Sequence, residues 1–155
     1  AKMKKFINLT LVLALALVLT ACGSKTEAEV WDTGDVQALL DSGAFSEELE
    51  ELDKDTAFIL YRLADYGLDR LSGAVVFRSA GATCEELAYL VLDSEDSAKA
   101  AKGALEDYVQ SQIDENVDYR PAEIPKLENA YIDQRGETLL LVVASDIDAA
   151  KKAVE

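Results

Sequence analysis

Thr138-Leu139-Leu140-Leu141-Val142-Val143-Ala144 is apolar at nearly every position. A strand with one wet face alternates apolar and polar side chains, and this one does not. Both of its faces are therefore expected to be covered, which places it near the centre of a sheet. Ala130-Tyr131-Ile132 precedes it across a turn around Arg135-Gly136-Glu137, so the two runs read as an antiparallel hairpin. A second pair of the same kind lies upstream. Ala74-Val75-Val76-Phe77 and Leu87-Ala88-Tyr89-Leu90-Val91-Leu92 are bounded by Gly73 and by Ser79-Ala80-Gly81. Their short connection predicts another antiparallel hairpin, again without strict alternation.

Between the hairpins stands the clearest helical pattern of the chain. Ala98, Ala101, Leu105, Val109 and Ile113 recur every three or four residues, while Lys99, Lys102, Glu106 and Gln110 face away. Ser94 or Asp93 is placed to cap it, Gly103 reads as lying on the polar side, and Pro121 and Pro125 lie beyond its end near Asn116. Asp146 or Asp148 opens a last helix through Ala149, Ala150 and Val154, with Lys151 and Lys152 where positive charge is favoured. Ahead of the first hairpin, Val36, Leu39 and Leu40 suggest a helix from Asp35 to Ser42, stopped by Gly43. A more apolar helix, largely buried, is expected from Asp55 or Thr56 through Ala57, Leu60, Leu63 and Ala64, with Phe58, Ile59 and Tyr61 widening its stripe, and it ends before Gly67. The acidic run Glu47–Glu51 reads as a short helix or a solvated loop. The fold class is α+β: an antiparallel sheet of two hairpins, a long amphipathic helix packed on one face, and a helical N-terminal part before it.

The first residues carry a different message. Lys2, Lys4 and Lys5 form a cationic start, followed by an apolar run from Phe6 to Leu19. That run is short of the about 20 residues a membrane-spanning helix needs, and Asn8 and Thr10 interrupt it. Leu19-Thr20-Ala21-Cys22 then resembles the lipobox of bacterial lipoproteins, with Gly23-Ser24-Lys25 as a flexible continuation. On this reading residues 1–21 are a signal peptide, Cys22 carries the lipid, residues 22–34 are tether, and 35–155 are a single extracytoplasmic domain. Trp31 falls in the tether. Two or more acyl chains make membrane residence stable where one alone is marginal. Cys84 would then have no disulfide partner in the chain.

Charge narrows the partners. The chain carries a net −15, and loss of the three leader lysines would take it to −18. Nucleic acid is excluded as a partner, because its phosphates call for clustered Lys and Arg. A cationic or protein partner in the envelope is the alternative to simple solubility. With no histidine in the chain, Ser-His-Asp and Cys-His catalysis are out of reach. No glycine-rich phosphate loop occurs, and the carboxylate pairs at Asp93–Asp96 and Asp146–Asp148 sit where helix capping already accounts for them. No catalytic residue, cofactor or metal ligand is therefore assigned. Cys84 reads as a small buried residue.

One surface stretch stands out, Asp118-Tyr119-Arg120-Pro121-Ala122-Glu123-Ile124-Pro125-Lys126-Leu127, which holds both prolines. It can be a stiff crossover whose Tyr119, Ile124 and Leu127 pack on the core, or a rigid loop offering Tyr119 and Arg120 to a partner. The reading adopted places Tyr119 in the core and Arg120 at the surface as the interaction residue.

From about Asp35 onward the chain resembles small lipoproteins of Gram-positive, Clostridia-type bacteria that carry an uncharacterised C-terminal domain. The resemblance rests on the lipobox at Cys22, Gly81-Ala82-Thr83-x-Glu85-Glu86-Leu87-Ala88, Ser111-Gln112 near the end of the long helix, Tyr119-x-Pro121, and the Gly136 turn before a hydrophobic strand. Cys84 and Thr138 depart from it. It implies location and domain identity, with no catalytic residue. The expected role is a lipid-anchored, non-catalytic binding or envelope-assembly module on the extracytoplasmic face of the cell membrane. The alternative is a small-molecule or cation-binding accessory lipoprotein for transport.

Overall fold

A computed structural model describes residues 29–155; the expected signal peptide at 1–21, the expected lipid site at Cys22 and the start of the expected tether lie outside the described residues. The sheet has five strands, all antiparallel, in the order β1-β2-β3-β5-β4. These are β1 (Glu50–Leu52), β2 (Gly73–Arg78), β3 (Glu86–Val91), β4 (Tyr131–Arg135) and β5 (Thr138–Val143). β3 is central because its register pairs Leu87 with Phe77 on one side and with Val142 on the other. Every residue of β5 is buried, as its unbroken apolar run requires.

The helices are α1 (Thr33–Asp41), α2 (Lys54–Leu60), α3 (Glu95–Asn116), α4 (Ile124–Glu128) and α5 (Ile147–Ala153). They cover both faces of the sheet, not one. On the first face, α3 contributes Ala98, Ala101, Ala104, Leu105 and Val109 to a core shared with Val76, Ala88, Leu90, Leu139 and Leu141. On the second, Val36 and Leu39 of α1 and Ala150 of α5 meet Leu87, Leu140 and Val142. The non-alternating strands are explained by this double cover.

Four expectations need correction. The acidic run ends in a strand: Glu50, Glu51 and Leu52 pair with Arg78, Phe77 and Val76, so the sheet exceeds two hairpins and the N-terminal part is not purely helical. Charged residues suit such an edge because they deter further pairing. Trp31 is not tether; it is only 1% exposed. Its indole nitrogen donates to the Asp133 carbonyl at 3.2 Å and its amide to Thr138 Oγ1 at 2.9 Å, while the Arg135 guanidinium lies 3.5 Å from its ring centroid. Ile59 of α2 is exposed, since the helix packs through Ala57 and stops after two turns. Gly103 is half-buried, and a Cβ there would meet the Tyr66 ring at 3.8 Å.

The caps follow local chemistry. Asp32 and Asp35 form a capping box on α1, Asp53 caps α2 through the Thr56 amide, Ser94 caps α3 and Asp146 caps α5. After α2 the chain reverses through Arg62, whose φ of +52° is left-handed, into a 3-10 turn at Leu63–Tyr66. That turn packs on α3.

Candidate functional site

Glu85 and Glu86 stand at the start of β3 and are 1% and 2% exposed. Successive side chains of a strand point to opposite faces, so this dipeptide reaches into both cores.

Glu86 faces the α3 side. Tyr108 of α3 donates its hydroxyl to Glu86 Oε1 at 3.0 Å, and Tyr61 donates to Oε2 at 3.3 Å. Arg78, its cross-strand partner in the register, closes an ion pair through Nε. Burial pushes the Glu86 carboxyl up to about 7, against the pull of Arg78 and of the Tyr108 and Tyr61 hydroxyls. Burial lowers the Arg78 guanidinium, but Glu86, Tyr108 and Tyr61 together outweigh it and leave Arg78 above its ordinary range. Burial also raises both tyrosines, with the Glu86 charge adding to it. The two tyrosine rings meet edge to face at 5.0 Å.

Glu85 faces the other way and gathers three segments. Its Oε1 accepts from the Ser46 amide at 2.8 Å and the Ser145 amide at 3.1 Å, Oε2 accepts from the Ser46 hydroxyl, and Lys126 Nζ lies 3.7 Å away. Burial would raise this carboxyl, but the Ser46 and Ser145 hydrogen bonds and Lys126 outweigh it and hold it below the ordinary range. Lys126 also pairs with Glu123 at 3.0 Å, and Glu123 accepts from the Cys84 amide at 3.0 Å. Among the described residues, every buried side-chain nitrogen and oxygen has a hydrogen-bond partner.

Two surface clefts open onto this seam. One, of about 280 Å³, lies between the 3-10 turn and α3 and is lined by Tyr61, Tyr66, Tyr108, Asp65, Asp107 and Ser111. Tyr66 donates to Asp107 there, and that bond raises the Tyr66 hydroxyl above its ordinary range. The other, of about 210 Å³, lies at the loop joining β2 to β3 and is lined by Arg78, Gly81, Thr83, Cys84, Gln112 and Arg120. Tyr61, Tyr108, Glu86 and Arg78 form an unbroken chain of contacts between them. The segment Gly81–Ala88 and the pair Ser111-Gln112 meet here.

Tyr119 and Arg120 do not hold the places expected of them. Tyr119 is 78% exposed; the turn after α3 points it outward, and Ile124 and Leu127 alone fill the core beneath the crossover. Arg120 is half-buried. Its Nε donates to Asn116 Oδ1 at 2.9 Å and its Nη1 to the Gly81 and Thr83 carbonyls at 2.9 and 3.3 Å. Its guanidinium carbon lies 5.6 Å from the Tyr119 ring centroid. Cys84 is half-buried, and its thiol is raised by burial, with Arg120 opposing. Arg78, Glu85, Glu86, Tyr61 and Tyr108 escaped the sequence reading. The observed register is centred on Ala82, four residues from Arg78 and four from Glu86; a hairpin closed around Ser79–Thr83 would instead have set Arg78 opposite Cys84.

A family model described as "Domain of unknown function (DUF4358)" matches residues 44–144. The chain belongs to that family. Comparison with curated proteins and with solved structures gives no match. The family match runs from Ala44 on the second core to Ala144, the residue just after β5, so the DUF4358 region includes all five strands, both clefts and the seam between them. It leaves outside it Trp31, α1 and α5, which build much of the second core. Among the described residues no group of three or more His, Cys, Asp or Glu could hold a metal ion, and no helix is long and apolar enough to cross a membrane.

Proposed function

We propose that this DUF4358 chain is a lipoprotein held by acyl chains on Cys22 at the extracytoplasmic face of the cell membrane. Its domain, residues 35–155 with Trp31 added, serves there as a non-catalytic binding or envelope-assembly module for a protein partner. The anchor rests on the cationic, apolar and lipobox segments in sequence. The binding role rests chiefly on one observation: the polar groups of both clefts are engaged in holding the fold. Glu86, Glu85, Arg78 and Arg120 each have fixed partners, so the clefts offer shape and polarity more than a free reactive group. At about 280 and 210 Å³ both fall under the ~300 Å³ at which small-molecule sites usually begin. They suit a side chain of a partner better than a whole metabolite. Exposed Tyr119, whose ring lies 5.6 Å from the Arg120 guanidinium carbon at the smaller cleft, adds apolar contact area of the kind interfaces use. The three tyrosines of the larger cleft support the second reading, an accessory for transport that binds a small molecule or cation.

The test is photo-crosslinking in living cells with the reactive side chain at position 119, and at position 152 as a control on α5. One discrete adduct from position 119 and none from 152 is expected. Equal or absent labelling at both would overturn the reading.

A further inference from the structure

Arg120 is a guanidinium held by neutral groups. Its acceptors are the amide oxygen of Asn116 and the carbonyls of Gly81 and Thr83, and no carboxylate of the described residues lies within ion-pair distance. The aim of the side chain is fixed twice over, because buried Asn116 is itself locked by donating to the Gln112 carbonyl at 2.7 Å. In a chain of net charge −15, a positive charge oriented by three neutral acceptors and left without a counter-ion is a prepared donor. Arg78 lines the same cleft, with Nε committed to Glu86 and a third of its side chain exposed. The Cys84 thiol lines the same cleft; burial raises it on balance, with Arg120 and more weakly Arg78 opposing.

We infer that the cleft between Arg78 and Arg120 binds a carboxylate, supplied by an acidic side chain of the partner protein. This rests on the binding-module reading above. The volume of about 210 Å³ admits one such side chain. Charge favours a monoanion: Arg78 is already paired with Glu86, so Arg120 supplies the one guanidinium charge of the cleft without a counter-ion, while Glu85 lines the cleft and Glu123 bonds the Cys84 amide in its wall. Arg120 has Nε and Nη1 committed and keeps Nη2 to donate, Arg78 keeps its terminal nitrogens beyond the Glu86 pair, and a planar carboxylate can accept from both, with the exposed Tyr119 ring as a flank. The acidic surface as a whole favours a basic partner face, so the ligand is one acidic residue set within such a face.

The experiment follows the arginine Nε–H signals by NMR, with the full chain in detergent micelles. Probes are N-acetyl-glutamate N-methylamide, its glutamine analogue, sodium acetate and inorganic phosphate. The glutamate probe should move the Arg120 and Arg78 signals saturably with a millimolar dissociation constant, and the glutamine analogue at least about tenfold more weakly. Arg120→Lys keeps the charge but not the fork, and Arg78→Lys does the same without touching the Gly81 loop; each should weaken binding about fivefold or more. No saturation, an equal response to glutamine, tighter phosphate binding, or unchanged affinity in both variants would overturn the inference. Acetate binding tenfold tighter than the blocked glutamate would overturn the peptide source. In each of those cases an adduct at position 119 would still stand, so the two readings fail separately.

Discussion

Glu86 should make the stability of this domain fall as pH rises from about 4.5 to about 7. Its carboxyl sits near 4.5 when unfolded and is raised to about 7 in the fold. Below 4.5 both states are protonated and the group contributes no slope. Between 4.5 and 7 the unfolded chain releases the proton while the folded one keeps it, so unfolding is favoured progressively. Above 7 both are ionised and the slope ends. Each pKa unit corresponds to about 1.4 kcal/mol, so the full loss across this window is about 3 kcal/mol. Carboxylates with lowered values act in a different window: Glu85, Glu47, Asp53 and Asp93 are held down by hydrogen bonds, and their stabilisation is lost only as pH falls below about 4.5. Glu86→Gln keeps the shape and removes the proton. Its cost from losing the Arg78 ion pair and from forcing an amide among two tyrosines is a separate offset. Urea denaturation of wild type and variant from pH 4.5 to 8 isolates the term: the variant's stability minus the wild type's should rise by about 3 kcal/mol across that range. A difference flat in pH would show that Glu86 titrates normally in the fold and that Arg78 and the tyrosine hydroxyls outweigh its burial.

Three further outcomes follow from the same geometry. Tyr119→Ala should change stability by no more than about 0.5 kcal/mol, as exposed substitutions do, whereas Arg120→Ala should cost about 1–3 kcal/mol by removing the donor for Asn116, Gly81 and Thr83; denaturation of both variants checks the order. Trp31→Ala should destabilise by about 3–5 kcal/mol, the usual cost of emptying a buried aromatic site, and calorimetry should show this although the residue lies outside the family match. Cys22→Ala should abolish fatty-acid labelling in cells and leave an unprocessed precursor; normal labelling of that variant would remove the anchor.

What could be read from the sequence was what periodicity controls. The apolar runs at 74–77, 87–92 and 138–144 and the stripe from Ala98 to Val109 each repeat a local pattern, and each became the element it predicted. The three-residue strand β1 carries no pattern, since two of its residues are glutamates and its pairing is decided by the free edge of β2. Trp31 was misjudged because its neighbours are polar: its burial depends on Thr138 and Asp133, more than a hundred residues away. Thr138, which departs from the family resemblance, is the acceptor for the Trp31 amide and donates in turn to the Arg135 carbonyl at 2.7 Å. Tyr119 and Arg120 both stand ahead of Pro121, but proline rigidity fixes the backbone and not which side chain turns inward. Asn116 decided that, by offering Arg120 an acceptor one helical turn earlier.

Glu85 and Glu86 show why this end of the sheet has one arrangement. An apolar pair at those positions would spare the desolvation of two carboxylates, a cost of several kcal/mol each in an interior. The glutamates supply direction in exchange. Glu86 is satisfied only when α3 presents Tyr108, the segment after α2 presents Tyr61, and β2 is in the register that puts Arg78 opposite. Glu85 is satisfied only when the loop at Ser46, the end of β5 at Ser145 and the crossover at Lys126 converge. Slipping β3 by one residue would exchange the two side chains between faces and strand both charges. The Gly81–Thr83 loop follows from the same register, and with it the carbonyls that aim Arg120 into the smaller cleft. The seam that makes the fold unique is thus also the part that shapes the proposed binding surface.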